Sequence, residues 1–210
     1  MTAYALVAAS DFNERHFLAC DAAGSFDCIV AVDGGFAHLE SVGRTSDVAL
    51  GDFDSLGYVP QAPEVLSFPS HKDKSDLEIA FDYAIKHGAD SVIVYGAVGG
   101  RLDHTMANLQ MAARFAEEGV AVTFVTNDCA IRIVVGPSRF GLPLLEHGTV
   151  SVFSARDRAY GVVETGLEYP LDTEVLTNRT SLGVSNELTG QPASVSVREG
   201  TLFVFHPLEF

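Results

Sequence analysis

The sequence predicts an α/β domain with a doubly wound, mostly parallel sheet, followed by an all-β sandwich. Three observations carry that expectation. Over residues 1–126, short apolar runs alternate with amphipathic stretches of helix length, the pattern of a parallel sheet with crossover helices. The early runs are nearly continuous, as suits strands covered on both faces. From residue 127 the helical period is lost, and short Val-, Thr- and Phe-rich runs follow, separated by Gly, Pro and Asn. The expected domains are therefore 1–127 and 128–210.

The elements follow in order. "YALVAA" (4–9) is a first strand, "DCIVAVD" (27–33) a second and "DVALGD" (47–52) a short third. "SVIVYG" (91–96) and "VAVTFVT" (120–126) complete the set. In "SDLEIAFDYAIKHG", Leu77, Phe81, Ala84 and Ile85 recur at helical spacing on one face. Ser75 and Glu78 form an S-x-x-E capping box, and Gly88 supplies the stop. "DHTMANLQMAARFAEEG" (103–119) is a second helix, closed by Gly119. Beyond it, "CAIRIVV", "GTVSVFSA", "YGVVETG", "ASVSVRE" and "TLFVFHP" are the sandwich strands.

Composition narrows the function. The formal charge of −15 argues against nonspecific nucleic-acid binding, which needs a basic footprint. No apolar run approaches a membrane span, and the N-terminus reads as a strand rather than a signal peptide. Cys20, Cys28 and Cys129 are odd in number and form no C-x-x-C, so a reducing cytoplasm is expected.

The acids stand where strands end and helices begin. Asp33 closes the second strand, Asp52 the third, and Asp76 and Asp103 open helices. If the chain stays extended, Asp52 and Asp54 face the same side, because strand side chains alternate. In an open α/β sheet these positions converge on the ligand-binding edge. Two like charges about 4 Å apart repel by roughly 4 kcal/mol at an effective dielectric of about 20. Clustered carboxylates therefore protonate or hold a cation. All-oxygen donors favour a hard ion, Mg²⁺ before Ca²⁺. Each acid alone could simply cap a helix; their shared edge is what points to a metal and phosphate site. Phosphate binding calls for backbone amides and cations. Asp33-Gly34-Gly35 and "GAVGGR" (96–101) are tight turns into helices, with Arg101 able to grip an anion. Lys72 and Lys74 lie beside Asp73 and Asp76. There is no G-x-x-x-x-G-K-[ST], H-E-x-x-H or G-x-S-x-G.

Taken in order, "VDGG", "LGDFDS", "KDKSDLE", "GGRLDHTMANL" and "SLGVSNE" (181–187) resemble the motifs of thiamine pyrophosphokinases, dispersed over both expected domains. The resemblance implies a catalytic α/β domain that binds nucleotide and metal, joined to a thiamine-binding β-sandwich. It implies a homodimer with the vitamin bound where subunits meet, and Mg²⁺-dependent pyrophosphate transfer from ATP to thiamine with release of AMP. By matching motifs, Asp52, Asp54 and Asp76 are similar to the metal and phosphate carboxylates, and Arg101 and Asp103 to catalytic ligand-contacting residues. Asp33, Gly34, Gly35, Lys72, Lys74, Ser75 and Arg101 fall on the ATP side; Asp103, Ser185 and Asn186 fall on the thiamine side. Ser75 stands where the family's D-x-T-D motif has Thr, and the chain has no Trp to stack on the vitamin. Either Asp76 or Asp103 could orient the attacking hydroxyl. Three other readings stay open: a pyrophosphokinase for another heterocyclic alcohol such as a hydroxymethylpterin, a D-x-D phosphatase, and a non-catalytic nucleotide-binding module.

Overall fold

The computed structural model describes residues 1–69 and 71–209. The chain divides into two compact units, Met1–Met111 with Gly119–Asn127, and Ala112–Glu118 with the chain from Asp128.

The first unit alternates strand and helix: β1 (Ala3–Val7), α1 (Glu14–Ala22), β2 (Cys28–Val32), α2 (Gly35–Ser41), β3 (Val48–Gly51), β4 (Glu64–Ser67), α3 (Asp76–Lys86), β5 (Ser91–Tyr95), α4 (Leu102–Glu117) and β6 (Ala121–Val125). Its strands lie in the order β6-β5-β1-β2-β3-β4, all parallel. The mostly parallel α/β fold expected from the sequence is therefore present. Central strands β1, β2 and β3 are buried on both faces, which is why their sequences are almost wholly apolar. The edge strand β4, "EVLS", is largely exposed and carries no apolar run, so it escapes a hydrophobicity reading. Tyr83 on α3 donates to Glu64 Oε2 at 2.7 Å, tying the helix to that edge.

The helix signals act as expected. Ser75 Oγ accepts from the Glu78 N–H at 3.2 Å and caps α3, whose buried face is Leu77, Ala80, Phe81 and Ala84. Ile85 is only half-buried. α1 is less legible: its only buried residue is Phe17, and Asn13 caps it by accepting from His16 N–H at 3.0 Å.

The second unit is antiparallel: β7 (Ala130–Val135), β8 (Ser138–Gly141), β9 (Thr149–Ser154), β10 (Arg158–Thr165), β11 (Glu174–Thr177), β12 (Asn186–Glu187), β13 (Ser194–Val197) and β14 (Thr201–His206). One layer runs β12-β9-β14-β7 and the other β11-β10-β13-β8. Val150, Val152, Val162, Leu176, Val195 and Leu202 are among the residues of its apolar core. In α4, Glu117 ion-pairs with Arg156 and accepts from Thr201 Oγ1 at 2.6 Å. These contacts join the C-terminal turns of the helix to this unit.

Candidate active site

The strand order reverses between β1 and β5: the chain leaves β1 toward β2 on one side and returns to β5 on the other. Loops that follow strands on either side of such a point diverge and leave a crevice. A cavity of about 640 Å³ opens there. Its walls are residues 8–10 after β1, Asp33 after β2, Asp52 after β3 and residues 72–77 entering α3. Residues Gly96 to Arg101 after β5, with His104 and Asn108 on α4, complete it.

Close backbone approach builds the crevice. A Cβ at Gly35 would lie 1.9 Å from Val7 O, and one at Gly96 would lie 2.0 Å from Ala8 O. Gly35 therefore lets α2 sit against β1, Gly34 leaves room for Ala9 and Ser55, and neither lines the cavity. Asp33 does line it, in a left-handed conformation (φ 47°). Its Oδ2 accepts from Ser55 Oγ at 2.8 Å, while its buried Oδ1 has no hydrogen-bond partner.

The D-x-D segment departs from the expected geometry. Phe53 is left-handed (φ 59°) and buried, so the chain bends instead of remaining extended. Asp52 faces the cavity; Asp54 opens the following turn, is exposed and is not part of the wall. The Asp54 N–H donates to Asp52 Oδ1 at 3.1 Å, so the second acid braces the first through its backbone. Burial of Phe53 outweighs the strand alternation that the sequence pattern suggested.

Asp76 lines the cavity, with Oδ1 2.9 Å from Lys72 Nζ, although no hydrogen bond is aligned along that contact. Lys72 also donates to Pro69 O at 3.1 Å. Lys74 and Ser75 share the same wall; Lys74 is paired with Asp82 at 2.5 Å. Arg101 reaches the cavity and grips Asp103 through two bonds of 3.2 and 2.6 Å. The Arg101 guanidinium holds the Asp103 carboxyl down to about 2. Asp103 itself is exposed and does not line the cavity.

Among the described residues, no three carboxylate, imidazole or thiolate groups stand ready to hold a metal ion by themselves. The Asp52–Asp54–Asp76 cluster is thus not preformed. Asp33, Asp52 and Asp76 nevertheless share one cavity, and two of their oxygens are buried without hydrogen bonds. That donor set fits a hard cation that takes one or two carboxylates and completes its shell with phosphate oxygens and water.

In the second unit the "SLGVSNE" stretch forms a turn into β12. Ser185 is exposed and left-handed (φ 60°), and its N–H donates to Ser151 Oγ at 3.0 Å. Asn186 is 3% exposed and its amide is committed internally, to Glu164 and Tyr169. Ser185 stands at the surface, while Asn186 holds the turn.

Comparison with known proteins decides the family. Residues 21–124 match the thiamin pyrophosphokinase catalytic domain, and residues 139–202 match the thiamin pyrophosphokinase vitamin B1 binding domain. The chain belongs to the thiamine pyrophosphokinase family. A thiamine pyrophosphokinase of Bacillus subtilis is 26% identical over 182 residues, covering 83% of this chain and 85% of that protein. The crystal structure of thiamin pyrophosphokinase from Geobacillus thermodenitrificans has a TM-score of 0.81 and 26% identity, covering 99% of this chain and 98% of that one. Thiamin pyrophosphokinase from Candida albicans shares the fold at a TM-score of 0.79 with 14% identity, over 99% of this chain and 90% of that one.

The cavity also exposes what the motif reading overlooked. The β1 loop contributes Ser10, whose buried Oγ has no partner and which lines the cavity. A polar Ser10-Asp11 pair directly after an apolar strand was the available signal. Asn108 donates to Ala97 O at 2.8 Å and fixes the wall after β5.

Proposed function

We infer that this chain moves the terminal pyrophosphate of ATP onto the hydroxyl of thiamine, forming thiamine diphosphate and AMP. The observation that supports this most is a single switch-point cavity holding Asp33, Asp52, Asp76, Lys72 and Arg101, in a chain matching both the catalytic and vitamin B1 binding domains. The hydroxyl oxygen bonds to the β-phosphorus. The bond from that phosphorus to the oxygen bridging the α-phosphate breaks, and AMP leaves with the bridging oxygen. Such transfer rests on positioning and charge neutralisation more than on covalent work by the protein.

Asp52 and Asp76, with Asp33, would hold Mg²⁺, which when bound neutralises phosphate oxygens. Lys72 and Arg101 meet the remaining phosphate charge, and Lys74 and Ser75 border the same anion. Asp103 is a poor proton acceptor because Arg101 holds its carboxyl so low. Asp76 lines the cavity and Asp103 does not, so Asp76 is the acid we assign to orient the attacking hydroxyl. Ser185 supplies the vitamin contact. The proposed working form is a cytoplasmic homodimer with the vitamin bound where two subunits meet. Cys20, Cys28 and Cys129 form no disulfide, which suits a reducing compartment. No helix among the described residues is long and apolar enough to cross a membrane.

One incubation tests the function: ATP, Mg²⁺ and a panel of heterocyclic alcohols that includes thiamine and a hydroxymethylpterin. AMP formed in equal amount with thiamine diphosphate supports it. ADP with a monophosphate ester, or AMP formed only with the pterin, refutes it.

A further inference from the structure

Strand β10 carries an acid at a core-facing position. Ala159 and Val162 on this strand are buried, and Glu164, two residues beyond Val162, is buried at 0% exposure. Thr165, which follows it, is exposed. A carboxyl at such a place is unfavourable unless it is hydrogen-bonded, and an apolar residue would serve packing better. Burial pushes the Glu164 carboxyl up, against the hydrogen bond from Asn186.

Its contacts are directed at one segment. Glu164 Oε2 accepts from Asn186 Nδ2 at 2.7 Å, while Oε1 has no hydrogen-bond partner. Asn186 Nδ2 also donates to Tyr169 O at 2.8 Å, and its Oδ1 accepts from the N–H groups of Tyr169 at 3.0 Å and Glu187 at 2.9 Å. The turn before it is equally confined. Gly183 (φ 88°) leaves no room for a Cβ, which would lie 2.9 Å from Val152 O and 3.5 Å from Glu164 Oε1. Gly183 O accepts from Val152 N–H at 2.8 Å. Glu164 thus bonds the 183–186 turn at Asn186, and its free Oε1 lies near the space beside Gly183 at the other end. Between those ends stands Ser185, in a left-handed conformation that side chains with a Cβ avoid.

We propose that Glu164 is a positioning residue for vitamin recognition, setting through Asn186 the backbone from which Ser185 meets thiamine. This rests on the reading of Ser185 as a vitamin contact, and Ser185→Ala tests that reading separately.

The experiment compares steady-state kinetics of the full-length Glu164→Met, Glu164→Gln and Ser185→Ala proteins, varying thiamine and ATP in turn. Met removes the acceptor and keeps an unbranched apolar side chain of similar length; Gln mimics the neutral acid and keeps the acceptor. Glu164→Met is expected to raise the thiamine KM about tenfold with the ATP KM within about twofold, and Glu164→Gln to restore the thiamine KM to within about twofold of the parent. Should Glu164→Met fail to fold, Glu164→Leu carries the same test: it too removes the acceptor, keeps an apolar side chain, leaves Asn186 its bonds to Tyr169, and is expected to show the same selective rise. An unchanged thiamine KM in the folded variant, or equal rises for both substrates, overturns the proposal. If Ser185→Ala leaves thiamine saturation unchanged, the vitamin-contact reading fails; if Ser185→Ala alone raises it, only the role of Glu164 fails.

Discussion

Two polar motifs of this chain have opposite fates. In the α/β unit, the acids and lysines entering α3 stay accessible around a cavity, with carboxylate oxygens on Asp33 and Asp76 lacking hydrogen bonds. In the β unit, Asn186 of "SLGVSNE" is sealed in the core and its amide is bonded on both sides. Unspent hydrogen-bonding capacity on a cavity wall marks the first region as ready for an outside partner, because most buried polar atoms are satisfied. Fully spent capacity marks Asn186 as scaffold, while Ser185 beside it is exposed.

The comparison can be broken by mutation. The largest effect is expected at the cavity: Asp52→Asn and Asp76→Asn should each lower kcat/KM by about a hundredfold or more, a loss of roughly 2.7 kcal/mol in transition-state stabilisation. Asp54→Asn should cost less, about tenfold, because its backbone N–H rather than its carboxylate braces Asp52. Equal losses at Asp52 and Asp54 would mean that both carboxylates reach the phosphates. Arg101→Ala comes next, with an ATP KM raised about fivefold to tenfold while thiamine saturation is preserved. Ser185→Ala should show the mirror image, a raised thiamine KM with the ATP KM unchanged.

The smallest effect is one of pH. A buried carboxyl raised above its ordinary value keeps its proton in the folded protein where the unfolded chain has lost it. Its contribution to stability is therefore full below the ordinary glutamate range and declines as pH rises through the folded value. Melting temperatures of the parent and Glu164→Gln proteins should be nearly equal at about pH 5 and diverge at about pH 8, with the Gln protein melting higher. A constant difference would show that Glu164 does not titrate differently on folding. The Asp103–Arg101 pair acts in the other sense. Its depressed carboxyl contributes above the ordinary aspartate range and is lost only as pH falls toward 2.

Much of the fold was legible because burial writes itself into sequence. The two-sided burial of β1, β2 and β3 requires continuous apolar runs, and the Ser75 cap requires a hydroxyl three residues before Glu78. β4 and α1 left no such mark, one lying exposed at an edge and the other burying only Phe17. At the site, the acids at strand ends were readable because parallel strands all deliver their C-termini to one edge. The bend at Phe53 was not, since a left-handed residue with a large side chain is chosen by tertiary burial and not by local pattern. Ser10 was hidden for a related reason: a lone hydroxyl after a strand acquires meaning only when β5 folds beside β1. Glu164 sits in an apolar strand run, where alternation marks its place as inward-facing; only the structure supplies the Asn186 that accounts for it.

The central claim is that the switch-point cavity of the α/β unit binds the triphosphate through a cation held by Asp52 and Asp76. Calorimetric titration of ATP into the parent, Asp52→Asn, Asp76→Asn and Ser185→Ala proteins, each with and without Mg²⁺, tests it most directly. Mg²⁺-dependent binding in the parent and Ser185→Ala proteins, weakened at least tenfold in both aspartate variants, is the predicted result. Binding of equal strength in all four proteins, or binding indifferent to Mg²⁺, would contradict it.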